Sequence, residues 1–225
     1  QLFEKPCSAG LDWCALPVRL EFCPPHATFN FFNFPVDSSG QIKKAVFFPG
    51  TGYTCKEDLF QRIGQELGQA GWSVVPLDWQ VIPFKDIDTI AEACDMAVGF
   101  AICALEGEGL EYCDDLLFVS KSLGCISALE YSQLFDLEAR HVLLTPTPDA
   151  LALVKTSTEV ACAVIGDEDP LMDSSSLVSF GEKHGFPVFV VKGTGHALKY
   201  DDPLITEIIT SRLVSFVNKE LGLHA

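Results

Sequence analysis

The sequence predicts an α/β chain: a mostly parallel sheet with helices on both faces, entered through an antiparallel hairpin. Three observations predict it. Short apolar runs without alternation recur at AVFFPG (45–50), WSVVPL (72–77), LLFVS (116–120), HVLLT (141–145), EVACAVI (159–165) and PVFVV (187–191). Strands buried on both faces read this way, because neither face has to meet water. Stretches of helical period fill the intervals, and that alternation is the mark of a parallel sheet. Ahead of them, Pro17 to Cys23 and Ala27 to Val36 read as two strands joined by Pro24-Pro25-His26. The second mixes aromatic and polar residues as a half-buried antiparallel strand does.

Taken in order, the first parallel strand leads through a turn to a helix over Glu57–Gln69, ended by Gly71. The longest helical pattern, Asp86 to Leu105, gathers Ile87, Ile90, Ala91, Cys94, Ala97 and Val98 on one face. Further helices are expected over Leu123–Phe135, Leu171–His184 and Leu204–Leu221, with a short one over Asp149–Val154. No linker-like segment and no internal repeat divides residues 1–225, so a single domain is expected.

Composition excludes several classes of function. Fifteen Lys and Arg stand against 31 Asp and Glu, a formal net charge of −16. Such a surface repels phosphate backbones, so no nucleic-acid partner is expected. No apolar run reaches the roughly 18 residues of a membrane span, and the opening residues carry no leader-like pattern of basic start and apolar stretch. The nine cysteines are an odd number without a CxxC pair. Neither a zinc site nor a disulfide framework follows from such spacing. Free, buried thiols in a reducing cytoplasm are the expectation, with no metal and no cofactor.

Ligands of open α/β sheets bind beyond the carboxyl ends of the strands, where loops and helix N-termini gather. Those positions hold Pro49-Gly50-Thr51-Gly52-Tyr53, Asp78-Trp79-Gln80, Lys121-Ser122-Leu123-Gly124, Pro146-Thr147-Pro148-Asp149, Gly166-Asp167-Glu168-Asp169 and Gly193-Thr194-Gly195-His196. Ser122, Asp169 and His196 thus fall on one edge of the sheet in the order nucleophile, acid, base. A serine hydroxyl needs an imidazole to accept its proton, and a carboxylate to hold that imidazole in the right tautomer. The remaining histidines lie elsewhere: His26 in the entering turn, His141 at the start of a strand, His184 at a helix end and His224 in the tail.

This order, with Ser-x-Ser-x-Gly around Ser122, resembles the α/β-hydrolase superfamily, whose nucleophile sits on a sharp strand-to-helix turn written GxSxG. Ser120 stands where that family has its first glycine, a position that needs a small side chain. The resemblance implies a three-layer α/β-hydrolase fold. It also implies Ser122 as nucleophile, His196 as general base and acid, and Asp169 as the orienting carboxylate. Asp169 matches the family's Gly-x-x-Asp loop; Asp167 is the next choice, and Asp149 follows the preceding strand, where some relatives place their acid. Backbone N–H groups of Thr51 and Leu123 would form the oxyanion hole. Tyr53, Trp79 and Lys121 are expected to shape the pocket, and residues 79–84 to form either an apolar wall or packing over the sheet. The net charge of −16 would disfavour polyanionic substrates unless Lys121 and Lys199 make the mouth locally positive. Only residues 146–158 separate the strand ending at Thr145 from the next one at Glu159, where larger relatives insert a lid, so no cap domain is expected. The implied activity is cleavage of a small ester or thioester. The rival expectation is a catalytically silent scaffold that binds a small ligand or a protein.

Overall fold

The computed structural model describes residues 40–223. Within them six strands form one sheet in the order β2-β1-β3-β4-β5-β6, and every neighbouring pair is parallel. The expected N-terminal hairpin, with His26 in its turn, lies outside the described residues, as do His224 and Cys7, Cys14 and Cys23. Among the described residues no strand is antiparallel, so the sheet is wholly rather than mostly parallel there.

Strand β1 (Lys43–Phe48) lies between β2 (Ser73–Pro76) and β3 (Asp115–Lys121). From β3 the order runs one way through β4 (Arg140–Leu144), β5 (Glu159–Gly166) and β6 (Val188–Val191), whereas the step from β1 to β2 runs the other way. Winding therefore reverses between β1 and β3, which is the switch point where open α/β sheets generally bind ligands.

Alternation along each strand feeds two separate cores. Val46, Phe48, Leu116, Phe118, Leu143, Ala163 and Ile165 pack on one face, with buried residues of α2 (Ile90–Ala104), α3 (Leu123–Leu134), α4 (Pro148–Leu153) and α5 (Ser174–His184). Ala45, Phe47, Leu117, Val119, Val142, Leu144, Cys162 and Val164 pack on the other, against α1 (Asp58–Gln69) and α6 (Pro203–Leu221). The period of two thus meets helices on both sides, giving the three layers. Helix α1 shows how: Leu59, Phe60, Ile63 and Leu67 recur at helical spacing and all are buried, while its polar residues face outward.

Two helix starts differ from expectation by three residues or more, each because a capping side chain sets the start. Helix α2 begins at Ile90, where the Thr89 hydroxyl accepts the Glu92 N–H; residues 84–86 form only a short 3-10 turn. Helix α5 begins at Ser174, three residues after Leu171, because the Asp173 carboxylate accepts the Ser176 N–H at 2.8 Å. An N-terminal Asp or Thr supplies an acceptor to an otherwise orphaned donor. The connection from β4 to β5 holds α4 and no further helix or strand. No helix among the described residues is long and apolar enough to cross a membrane. Cys55, Cys94, Cys103, Cys113, Cys125 and Cys162 are all free thiols.

Candidate active site

Ser122 is the single residue between β3 and α3. Its backbone has φ 54° and ψ −120°, a region that costs a non-glycine residue about 1–3 kcal/mol. The surroundings hold it there. Its N–H donates to Leu144 O at 3.0 Å, and its carbonyl accepts the Cys125 N–H at 2.9 Å. Gly124 makes the bend possible: a Cβ there would lie 2.2 Å from Phe48 O and 2.5 Å from Pro49 O. Helix α3 starts against the end of β1, and only hydrogen fits between them. Ser120, in place of the family's glycine, is fully buried and donates its hydroxyl to Val142 O at 3.2 Å.

His196 lies on the loop after β6. Its Nε2 is 2.7 Å from Ser122 Oγ, and its Nδ1 is 2.8 Å from Asp169 Oδ2. These three side chains form an unbroken hydrogen-bonded row. The Asp169 side chain has no exposed surface, and its other oxygen accepts the Leu171 N–H at 2.9 Å. The acid and histidine loops interlock: Glu168 N–H donates to Thr194 O at 3.0 Å, and a Cβ on Gly166 would lie 2.1 Å from that same oxygen. Asp167 turns to a different task, since its carboxylate accepts the Gly193 N–H at 2.6 Å and so ties down the histidine loop. Asp149 sits in the first turn of α4. Burial holds the His196 imidazole below its usual pKa; the Lys121 cation pushes the same way, and the bond to Asp169 opposes both. The ring is therefore neutral at pH 7, with Nε2 free to accept a proton while Nδ1–H donates to Asp169.

The Pro49–Tyr53 loop lies against this elbow, for a Cβ on Gly50 would be 3.5 Å from that of Ser122. Thr51 is exposed on the loop. Neither its N–H nor that of Leu123, the first residue of α3, has a hydrogen-bond partner among the described residues.

The three residues expected to shape a pocket fare differently. Tyr53 is half-buried beside the elbow, its ring edge-on to Phe60 with centroids 5.8 Å apart. Trp79 and Lys121 do not line a mouth. Trp79 is buried, donates its indole N–H to Gly50 O at 3.3 Å and meets Phe84 edge-on, so it braces the loop from behind. Ile82 is buried with it and Phe84 packs against the same core, whereas Gln80, Val81 and Pro83 of the segment are exposed. Lys121 is only 1% exposed. It follows Leu117 and Val119 in phase on β3, so it turns into the face under α1 and α6. Its ammonium donates to Thr145 Oγ1 and to His196 O, both at 2.6 Å. Lys199 also makes no positive mouth, because its ammonium pairs with Glu57 at 2.7 Å. Thr145, a residue the motif reading passed over, is fully buried with φ 44°. Its place directly after β4 was the available signal.

No known family model matches the chain, and no curated protein matches it either. Solved structures do. Est1E from Butyrivibrio proteoclasticus aligns over 81% of this chain and 89% of its own, with TM-score 0.57 and 14% identity. An α/β serine hydrolase without lid from Xanthomonas campestris aligns over 80% and 81%, with TM-score 0.58 and 14% identity. A serine hydrolase homologue from Coxiella burnetii gives 80% and 85%, TM-score 0.57 and 14% identity. At such low identity the likeness speaks to architecture. The chain has the α/β-hydrolase fold, with no cap domain among the described residues.

Proposed function

We propose that the chain is a serine hydrolase that cleaves a small ester or thioester through an acyl-enzyme intermediate. One observation carries the proposal: the row Ser122 Oγ, His196 Nε2–Nδ1 and Asp169 Oδ2, joined at 2.7 and 2.8 Å beyond the carboxyl ends of the strands. Ser122 Oγ attacks the substrate carbonyl while Nε2 takes its proton. The imidazolium, stabilised by Asp169, returns that proton to the departing alkoxide or thiolate. Water then attacks the acyl-enzyme, with His196 again as base, and Ser122 is regenerated. The unpartnered N–H groups of Thr51 and Leu123 are the donors we assign to the oxyanion, each worth about 3 kcal/mol in the transition state. Asp169 is the orienting acid in this reading, because the Asp167 carboxylate is engaged by Gly193.

Est1E has been described with ferulic acid bound, which agrees with a compact carboxylic acyl group. The net charge of −16 favours neutral or cationic substrates over polyanionic ones. The free thiols support residence in a reducing compartment such as the cytoplasm. A fluorophosphonate probe tests the reading: wild-type protein labels and turns over short-chain nitrophenyl esters, and Ser122→Ala does neither. Folded wild-type protein that refuses the probe would leave the silent scaffold as the answer.

A further inference from the structure

A lysine one residue before the nucleophile, pointing into an apolar layer, calls for its own explanation. Lys121 occupies the β3 position that alternation reserves for an apolar residue after Leu117 and Val119, and it is buried almost completely. A buried ammonium is costly unless every proton finds an acceptor. Here its acceptors are the Thr145 hydroxyl and the carbonyl of His196 itself, and its remaining flank faces the Tyr53 ring, 4.8 Å from the centroid. One side chain therefore joins the elbow, the end of β4, the loop after β1 and the histidine loop. That last loop carries Gly193 and Gly195, which leave its backbone soft.

We propose that Lys121 is a positioning residue for His196: its ammonium fixes the peptide that carries the imidazole and sets a cation beside the ring against the charge of Asp169. This rests on the reading of Ser122, His196 and Asp169 given above. The charges around the ring are few. Asp169 faces it from the loop after β5 and favours the imidazolium; Lys121 faces it from β3 and opposes it. Around Lys121 itself stand Cys125 on α3, Glu57 ahead of α1, and Lys199 beyond the histidine loop. The Cys125 thiol is pushed up to about 11 by burial and so stays neutral, while Glu57 and Lys199 pair with each other. Lys121 is thus the cation left to balance Asp169 at the ring. Burial lowers its own pKa to about 8, so the charge persists at pH 7 and fades above it.

The experiment is a pH titration of the His196 Cε1–H resonance in the full chain, assigned by its loss in His196→Asn, in wild type, Lys121→Met and Lys121→Gln. The pH profile of fluorophosphonate labelling is recorded alongside. Wild type should titrate below the ordinary histidine value, and both variants should move up by roughly half a unit to one unit. The acidic limb of labelling should move with them. Its plateau should fall about tenfold in Lys121→Met and less in Lys121→Gln, which retains a donor for the His196 carbonyl. Should Lys121→Met fail to fold, Lys121→Gln carries the comparison. Titration midpoints that coincide in wild type and variant overturn the proposal, whatever the melting temperatures do. A midpoint that moves in a wild-type background that never labels upholds the Lys121 coupling and removes the hydrolase reading instead.

Discussion

The two edges of the sheet make opposite use of buried polar groups. At the carboxyl edge, Ser122, His196, Asp169 and Lys121 all have partners, and the backbone is strained at Ser122 and Thr145. At the amino edge a cleft of about 510 Å³ opens among the first residues of β3, β4 and β5, lined by Asp115, Arg140, His141 and Glu159 among others. Arg140 and Asp115 pair there at 3.0 Å. His141 is buried edge-on to Phe118, with no partner for its Nδ1 among the described residues. That cleft thus holds an ordinary ion pair and a buried imidazole, while the proposed chemistry lies where strain and mutual hydrogen bonding coincide. Mutually satisfied polar groups on strained backbone are what mark the carboxyl edge as the candidate site.

Side-chain changes in the row Ser122, His196 and Asp169 should therefore abolish activity with little loss of stability, and changes at the amino edge should do the reverse. The largest effect is expected for Ser122→Ala, a fall in kcat of about a millionfold, measured on activated esters with the melting temperature nearly unchanged. Next comes Asp169→Asn, which leaves the wrong tautomer on His196 and should cost about ten thousandfold in kcat. Asp167→Asn should cost tenfold at most, because it loosens the histidine loop without removing the acid. Equal losses from the two would contradict the assignment. Gly166→Ala, which drives a methyl group against Thr194 O, should reduce both stability and activity, with unfolding in urea showing a loss of about 3 kcal/mol or more.

At the amino edge the effect is on stability alone. Burial lowers His141 to about 4 from an ordinary 6.5. Between those values the unfolded chain binds a proton that the folded chain refuses, so stability falls as pH drops from about 6.5 to 4. The loss amounts to about 3 kcal/mol. His141→Leu should flatten that slope in urea titrations and leave ester turnover intact. The smallest effect tests the strain: Ser122→Gly, inactive, should gain about 1 kcal/mol, since glycine accepts φ 54° freely.

Most of the parallel sheet was legible because two-sided burial writes itself as unbroken apolar runs, and those runs located each strand-end loop. The order of Ser122, Asp169 and His196 along the chain was legible for the same reason. Less legible was which way a polar side chain turns once it reaches an edge. Lys121 and Trp79 stand beside the loops in sequence yet point inward, Lys121 because β3 alternation continues past Val119. Helix starts depended on which of several acidic residues caps: Asp173 takes α5, and Asp169 is left for His196. Composition cannot rank neighbouring carboxylates; the hydrogen bonds do. The hairpin expected over 17–36 falls outside the described residues 40–223.

The distance along the chain between the two partners of the central hydrogen bond, 74 residues, has a consequence for biosynthesis. The elbow leaves the ribosome well before β6 and the histidine that would activate it. A nascent or truncated chain that stops short of residue 196 carries a bare serine hydroxyl with no base, and a Lys121 ammonium lacking one of its acceptors. A chain cut short of residue 196 would therefore lose the proposed base and one acceptor of the Lys121 ammonium in a single event.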